Sequence, residues 1–198
     1  MKLFLITIVL FLVSGCSTIK PSVTEYRVIT KSINSNTAAK ECRDKSLKVA
    51  QAFSSPSLMS LKMDYVEGES RVFSYSQAQW QESPNNSVTS QILKNIRDAN
   101  IFKSVQISKS RSKNSLILET SIGEFMQFYS EDMNESYVKI VLSLTLVNSK
   151  TATVVSTKTF SSKVKSKTLD AKGGVEALNT ALSEIISQNI EWLVGVCK

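Results

Sequence analysis

The chain has 198 residues, 42% of them apolar and 21% charged, with a formal charge of +7. Those proportions suit one folded domain with a sizeable core and exclude a disordered, low-complexity chain. Histidine is absent, which removes the commonest general base and the commonest metal ligand.

At the N-terminus, Lys2 gives a positive start and residues 3–13 form a short, almost wholly apolar run. A membrane-spanning helix needs about 20 residues, so this run reads as a secretory signal. Ser14 and Gly15 are the small residues that a signal peptidase requires, and Cys16 follows them. The string Val13-Ser14-Gly15-Cys16 resembles the lipobox of a bacterial lipoprotein. The expected layout is a signal over 1–15, a lipidated N-terminus and short tether over 16–22, and a periplasmic domain over 23–198. Each buried CH₂ adds about 0.8 kcal/mol of membrane affinity, so two or three acyl chains on Cys16 hold such a domain firmly. An ordinary cleaved signal followed by a chance Cys is the alternative.

Export to an oxidising compartment gives the other two cysteines a meaning. Cys42 and Cys197 form an even pair near the two ends of the domain, and a disulfide between them would close a very long loop. Two buried free thiols are the alternative.

Along the domain, residues 23–29 read as a first strand, 32–45 as a polar loop and 47–53 as a half-buried strand broken near Pro56. Residues 61–66 and 71–75 flank Glu67-Gly68-Glu69-Ser70, a hairpin pattern. Trp80 precedes a polar turn, after which Asn86 or Ser87 caps a helix with the stripe Val88, Ile92, Ile96 and Ala99. Extended segments follow at 101–108, 115–129 and 136–148. In the last, Val138, Ile140, Leu142, Leu144 and Leu146 share one face, which marks it as the central core strand; Val141 and Val147 fall on the other. Asn148-Ser149-Lys150 turns the chain into a strand over 153–165. Asp170 caps a final helix whose Val175, Leu178, Leu182, Ile185, Asn189 and Leu193 recur at helical spacing. The expected fold is a single α+β domain, a mostly antiparallel sheet packed with two amphipathic helices at about 87–100 and 171–194.

Catalytic signals are weak. There is no CxxC, Gly-rich phosphate loop or HExxH string. Ser-x-x-Lys occurs four times, starting at Ser17, Ser110, Ser136 and Ser162. A Ser–Lys hydrolase needs its serine in a shielded pocket where the lysine loses its proton, whereas these strings sit in polar surroundings or beside Cys16. The carboxylate pairs Asp64/Glu67 and Glu131/Asp132 read as solvated loops. No catalytic residue, metal ligand or cofactor is expected beyond the covalent lipid, and the chain reads as a non-enzyme. The cations Lys109, Arg111 and Lys113, with Lys158, Lys163, Lys165, Lys167 and Lys172, suit anionic head groups or an acidic protein surface. They also suit the blunting of sheet edges against aggregation. Nucleic acid is not an expected partner for an exported protein.

The lipobox, Tyr26, Leu47-Lys48-Val49 with Pro56 after it, Met63-Asp64-Tyr65 and the segment 73–84 with Trp80 resemble the ABC-type transport auxiliary lipoprotein family. The resemblance continues through Asn100-Ile101-Phe102, residues 118–125, Phe160, and the helix 177–182 closing on Trp192-Leu193. It implies a non-catalytic partner of an ABC/MCE-type (mammalian-cell-entry) lipid transporter, in which an ATPase and a permease work with a substrate-binding MCE-domain protein. It implies a place on the periplasmic face of the outer membrane, and Ser17, rather than Asp, after the lipidated Cys fits that address. Phospholipid is a further candidate ligand and a homo-oligomer a further candidate state. Trp80 and Phe125 are the candidate docking residues, because aromatics are enriched in interface hot spots; core packing is the alternative for both. The second reading is a periplasmic chaperone that itself encloses an acyl chain. A hydrolase of envelope polymers, with Ser110 or Ser162 as nucleophile, is the third.

Overall fold

The strict alternation over residues 136–148 produces a strand whose buried face is Val138, Ile140, Leu142, Leu144 and Leu146. It is the seventh of eight strands in a computed structural model that describes residues 21–31 and 42–197. The signal segment, Cys16 and tether residues 17–20 lie outside the described residues, as do 32–41 of the expected polar loop. The strands are β1 Thr24–Tyr26, β2 Ser46–Val49, β3 Lys62–Glu67, β4 Arg71–Trp80, β5 Ser104–Ile107, β6 Leu116–Tyr129, β7 Ser136–Asn148 and β8 Thr153–Lys165. Helix α1 spans Pro84–Asp98 and helix α2 Ala171–Val196.

β7 pairs antiparallel with β6 on one side and β8 on the other along nearly its whole length. The second edge of β6 is divided. Its first residues take β2 in parallel, from Leu47↔Leu116 to Val49↔Leu118, and its last take β3 in parallel, from Tyr65↔Gln127 to Glu67↔Tyr129. Beyond β2 lies β5 in parallel, and beyond β3 lie β4, antiparallel, and then β1, parallel. The long ladders are antiparallel and the short ones at the divided edge mostly parallel, so the α+β reading holds with a mostly antiparallel sheet.

Both helices lie on one face. α2 packs over β7 and β8, and α1 over β5 and β6. The α2 side chains Leu178, Leu182, Ile185, Ile186 and Leu193 are buried in the resulting core. Each such side chain contributes about 1.5–3 kcal/mol by leaving water. At the start of α2 the Asp170 carboxylate accepts from Gly173 N at 2.7 Å, satisfying one of the open N–H groups of the first turn. At its end Cys197 is bonded to Cys42, with Cα atoms 5.5 Å apart.

Five element boundaries differ clearly from the sequence reading, the first being β2, which ends at Val49 instead of running on to residue 53. α1 begins at Pro84, with Ser83 at the N-cap position, because the fixed φ of proline suits a first helical turn. β4 continues to Trp80, and its register jumps from Lys62↔Gln79 to Asp64↔Ser74, so residues 75–78 bulge and blur the period-2 pattern. β5 is confined to Ser104–Ile107, while Ile101 and Phe102 are buried without joining the sheet. β1 stops at Tyr26, and the chain then runs over the helices instead of the sheet. There Ile29 N donates to Asn179 Oδ1 at 2.9 Å, Thr30 N to Gln91 Oε1 at 3.2 Å and Lys31 N to Ser183 Oγ at 3.1 Å. Helix side chains thus take the place of a strand partner for this backbone.

Candidate functional site

The Ser-x-x-Lys strings do not assemble into dyads. Successive side chains of a strand alternate between faces, so residues three apart point oppositely. Ser136 is buried and accepts from Gln127 Nε2 at 3.1 Å, whereas Lys139 on the other face pairs with Glu124 at 3.3 Å. Ser162 donates to Glu184 Oε2 at 2.7 Å, whereas Lys165 pairs with Glu135 at 2.9 Å. Ser110 shares a 2.9 Å hydrogen bond with Ser112 in an exposed turn, and Ser17 lies outside the described residues. Asp64 and Glu67 stand on β3 rather than in a loop. Asp64 accepts from Ser74 Oγ at 2.5 Å and Glu67 pairs with Arg71 at 2.9 Å.

Trp80 and Phe125, the sequence candidates for docking, are buried and lie edge to face with centroids 5.9 Å apart. Both point to the helix-covered side, so they are core residues with no surface to offer a partner. Apolar character alone did not distinguish an inward aromatic from an outward one.

The most exposed aromatic among the described residues is Phe53. After β2 ends at Val49 the chain leaves the ladder, then rejoins β6 for one residue. Phe53 N donates to Thr120 O at 2.9 Å and Ile122 N to Phe53 O at 2.8 Å. Phe53 therefore sits in parallel register with Ser121, its ring on the face opposite the helices and 71% exposed. The preceding residues are pinned to α1: Ala52 N donates to Thr89 Oγ1 at 2.9 Å and Gln51 Nε2 to Asn86 Oδ1 at 2.7 Å. Around the ring, Ala50, Gln51, Glu119, Ser121, Ser143 and Thr145 line an open depression of about 340 Å³. Its floor is made of short hydroxyl side chains tied across β7 and β8, Ser143 to Thr159 at 2.8 Å and Thr145 to Thr157 at 3.1 Å. Farther along the same face Phe128 stacks on Tyr137 with centroids 5.2 Å apart, and Lys163 Nζ stands 3.7 Å from the Tyr137 ring centre. A rigid aromatic standing in a polar, uncovered depression has the form of an anchoring contact. No signal in the sequence separates Phe53 from the core aromatics, because its outward aim comes from the break after Val49.

On the covered side lies a polar network. Tyr75 Oη and Tyr129 Oη are 2.6 Å apart, and Tyr75 donates to Gln127 Oε1 at 3.0 Å. Gln127 Nε2 donates to Tyr129 Oη at 3.1 Å and reaches Asp170 O at 3.4 Å. Burial pushes the Tyr75 hydroxyl well above the ordinary phenol range, and the Tyr129 hydrogen bond adds to it. Burial also raises Tyr129. Both phenols stay protonated and join β4, β6 and β7 to the cap of α2. The enclosed space beside Tyr75, Trp80, Phe125 and Leu178 measures about 10 Å³, room for roughly one water and not for an acyl chain.

Among the described residues no helix is long and apolar enough to cross a membrane. No model of a known protein family matches the sequence, and no curated protein is similar to it in sequence. The fold is similar to that of a crystallised protein from Xanthomonas campestris assigned to family DUF330. The two are 16% identical, with a TM-score of 0.79, over 88% of this chain and 96% of that one. A second crystal structure, of an uncharacterized protein, matches with a TM-score of 0.67 at 10% identity, over 87% of this chain and 99% of that one. A hypothetical protein from Chlamydia trachomatis matches with a TM-score of 0.53 at 6% identity, over 78% and 98%. At these identities the likeness is one of fold.

Proposed function

We propose that the chain is a non-catalytic, lipid-anchored envelope protein that docks with the MCE-domain subunit of an ABC-type lipid transporter. The observation that carries the docking part is Phe53, a fully presented aromatic on an open sheet face whose surrounding backbone is held rigid by β6 and α1. Preorganised anchors of this kind bind at low entropic cost. The lipobox at Cys16 supports the anchor, and the resemblance of the sequence to auxiliary lipoproteins supports the choice of partner. Placement on the periplasmic face of the outer membrane rests on Ser17 following that Cys. The chaperone reading needs an enclosed apolar volume, commonly about 300–1,000 Å³ for a bound small molecule. The inner face is instead filled by the α2 side chains, which favours docking over enclosure.

The test is affinity purification of the tagged protein from gently solubilised envelopes, with wild type, Phe53→Asp and Cys16→Ala compared. An MCE-domain protein, permease and ATPase should co-purify with wild type and be lost with Phe53→Asp. Recovery of the protein alone in every case would overturn the transporter reading.

A further inference from the structure

We infer that the end of the sheet where the β3–β4 turn, the β6–β7 turn and the β8–α2 connection meet rests on the lipid surface beside the anchor. The inference rests on the reading of Cys16 as lipidated. Three separate segments bring exposed apolar side chains to this end. Val72 and Phe73 of β4 are 60% and 43% exposed, Met133 of the β6–β7 turn 38%, and Leu169 before α2 50%. The segments are held level with one another. Gly68 N of the first turn donates to Tyr129 O at the end of β6, and Ser166 N donates to Ser136 O at the start of β7, both at 3.0 Å. Single exposed apolar residues are ordinary; here three segments bring four of them to one end of the sheet, interspersed with charged side chains.

The direction of β1 points to the same end. β1 runs parallel to β4, with Thr24 beside Ala78 and Tyr26 beside Trp80. Going back along the sequence from Thr24, the chain therefore heads toward the Arg71 end of β4. Eight residue steps separate Thr24 from Cys16, and seven separate Ala78 from Arg71. At about 3.3 Å per extended residue, the acylated residue has the reach to lie level with that end and no great length beyond it.

The charges at this end indicate the kind of surface. Glu67 is paired with Arg71 and Glu135 with Lys165, each at 2.9 Å, while Glu69, Glu131 and Asp132 add further negative charge. Lys167 and Lys172 offset part of that charge, so neither sign dominates this end and the fitting surface is a zwitterionic one, with the apolar tips entering the interfacial layer as anchors of peripheral proteins do.

The experiment uses the full chain matured in a bacterial envelope, with Phe73→Trp and, as a second probe, Leu169→Trp. The N-terminal peptide is weighed first, and the protein is then placed in phosphatidylcholine vesicles whose acyl chains are brominated. Against the parent, whose own Trp80 is buried and Trp192 half-buried, the added indole should shift to the blue and lose emission to the brominated lipid in both variants. An acylated, vesicle-bound protein whose added indoles stay solvent-like and unquenched would overturn the contact while leaving the anchor intact. A Cys16 found unmodified would remove the anchor reading and this inference with it.

Discussion

Gly174 of α2 lies directly against the carboxamide of Gln127, so close that a β-carbon there would overlap Oε1. In an open helix, Gly→Ala gains up to about 1 kcal/mol of helix propensity. Here overpacking costs about 1–3 kcal/mol and displaces the group that links Tyr75, Tyr129 and Ser136, so the sign reverses. Gly174→Ala should lower the midpoint of urea unfolding. Gly195, in the same helix with nothing within 4 Å of its virtual β-carbon, supplies the control: Gly195→Ala should leave the midpoint unchanged or raise it. Equal effects at the two positions would show that packing at Gln127 does not decide the outcome.

The tyrosines of that network should titrate late. An ordinary phenol ionises near pH 10, and both Tyr75 and Tyr129 are displaced upward, chiefly by burial. A folded pKa above the unfolded one gives a contribution to stability that is complete below about pH 10 and disappears as the pH rises. In an alkaline titration followed by tyrosinate absorbance, two of the five tyrosines should ionise only as the protein unfolds. Smooth ionisation of all five in the native state would contradict the network.

The Cys42–Cys197 bridge spans 155 residues. In the chain-entropy account a loop of that size restricts the unfolded chain by about 5 kcal/mol. Mass analysis of the oxidised protein should find no alkylatable thiol at either position, and reductant should lower the unfolding temperature. Cys42→Ser should unfold at the temperature of the reduced wild type; two free thiols in protein taken from the envelope would dismiss the bridge.

Asp170 provides a test at acid pH. The Gly173 amide, and next the Thr168 hydroxyl, hydrogen-bond its carboxylate and hold it below the usual carboxyl range. A depressed folded pKa gives a contribution that is complete above the unfolded value, about 4, and vanishes as the pH falls through the folded one. Asp170→Ala should cost about 1 kcal/mol near neutrality. Its deficit relative to wild type should shrink on acidification below about pH 4, as measured by urea unfolding at each pH. A deficit constant across that range would mean that the cap does not act through its charge.

These sites differ in how plainly the sequence announces them. β7 and β8 match the expected 136–148 and 153–165 residue for residue, because local alternation alone fixes a strand with one buried face. Asp170 and the i, i+3, i+4 stripe after it fix α2 in the same way. The divided edge of β6 has no local signal, since pairing with β2 near Leu118 and with β3 near Phe128 is decided by segments far apart in sequence. The bulge of residues 75–78 hid the end of β4 by spoiling its period. The docking candidates failed for a related reason: Trp80, Phe125 and Phe53 are equally apolar, and only the backbone break after Val49 turns the last of them outward.

That difference in aim is itself measurable. Phe125 is buried against Trp80, and truncating a buried phenylalanine costs about 3–5 kcal/mol through lost transfer energy and the cavity left behind. Phe125→Ala should therefore lower stability by that order and reduce the yield of folded protein. Phe53 touches mostly water, and surface substitutions usually fall within about 0.5 kcal/mol, so Phe53→Ala should unfold with wild type. In cross-linking of intact envelopes the order should invert. Phe53→Ala should lose contacts with the transporter at normal abundance, while Phe125→Ala should lose them only in proportion to the folded protein remaining. If Phe53→Ala cross-links like wild type, the open face around Ser121 is not the docking surface. If it proves as unstable as Phe125→Ala, the ring is covered in the native state and the depression is not a site.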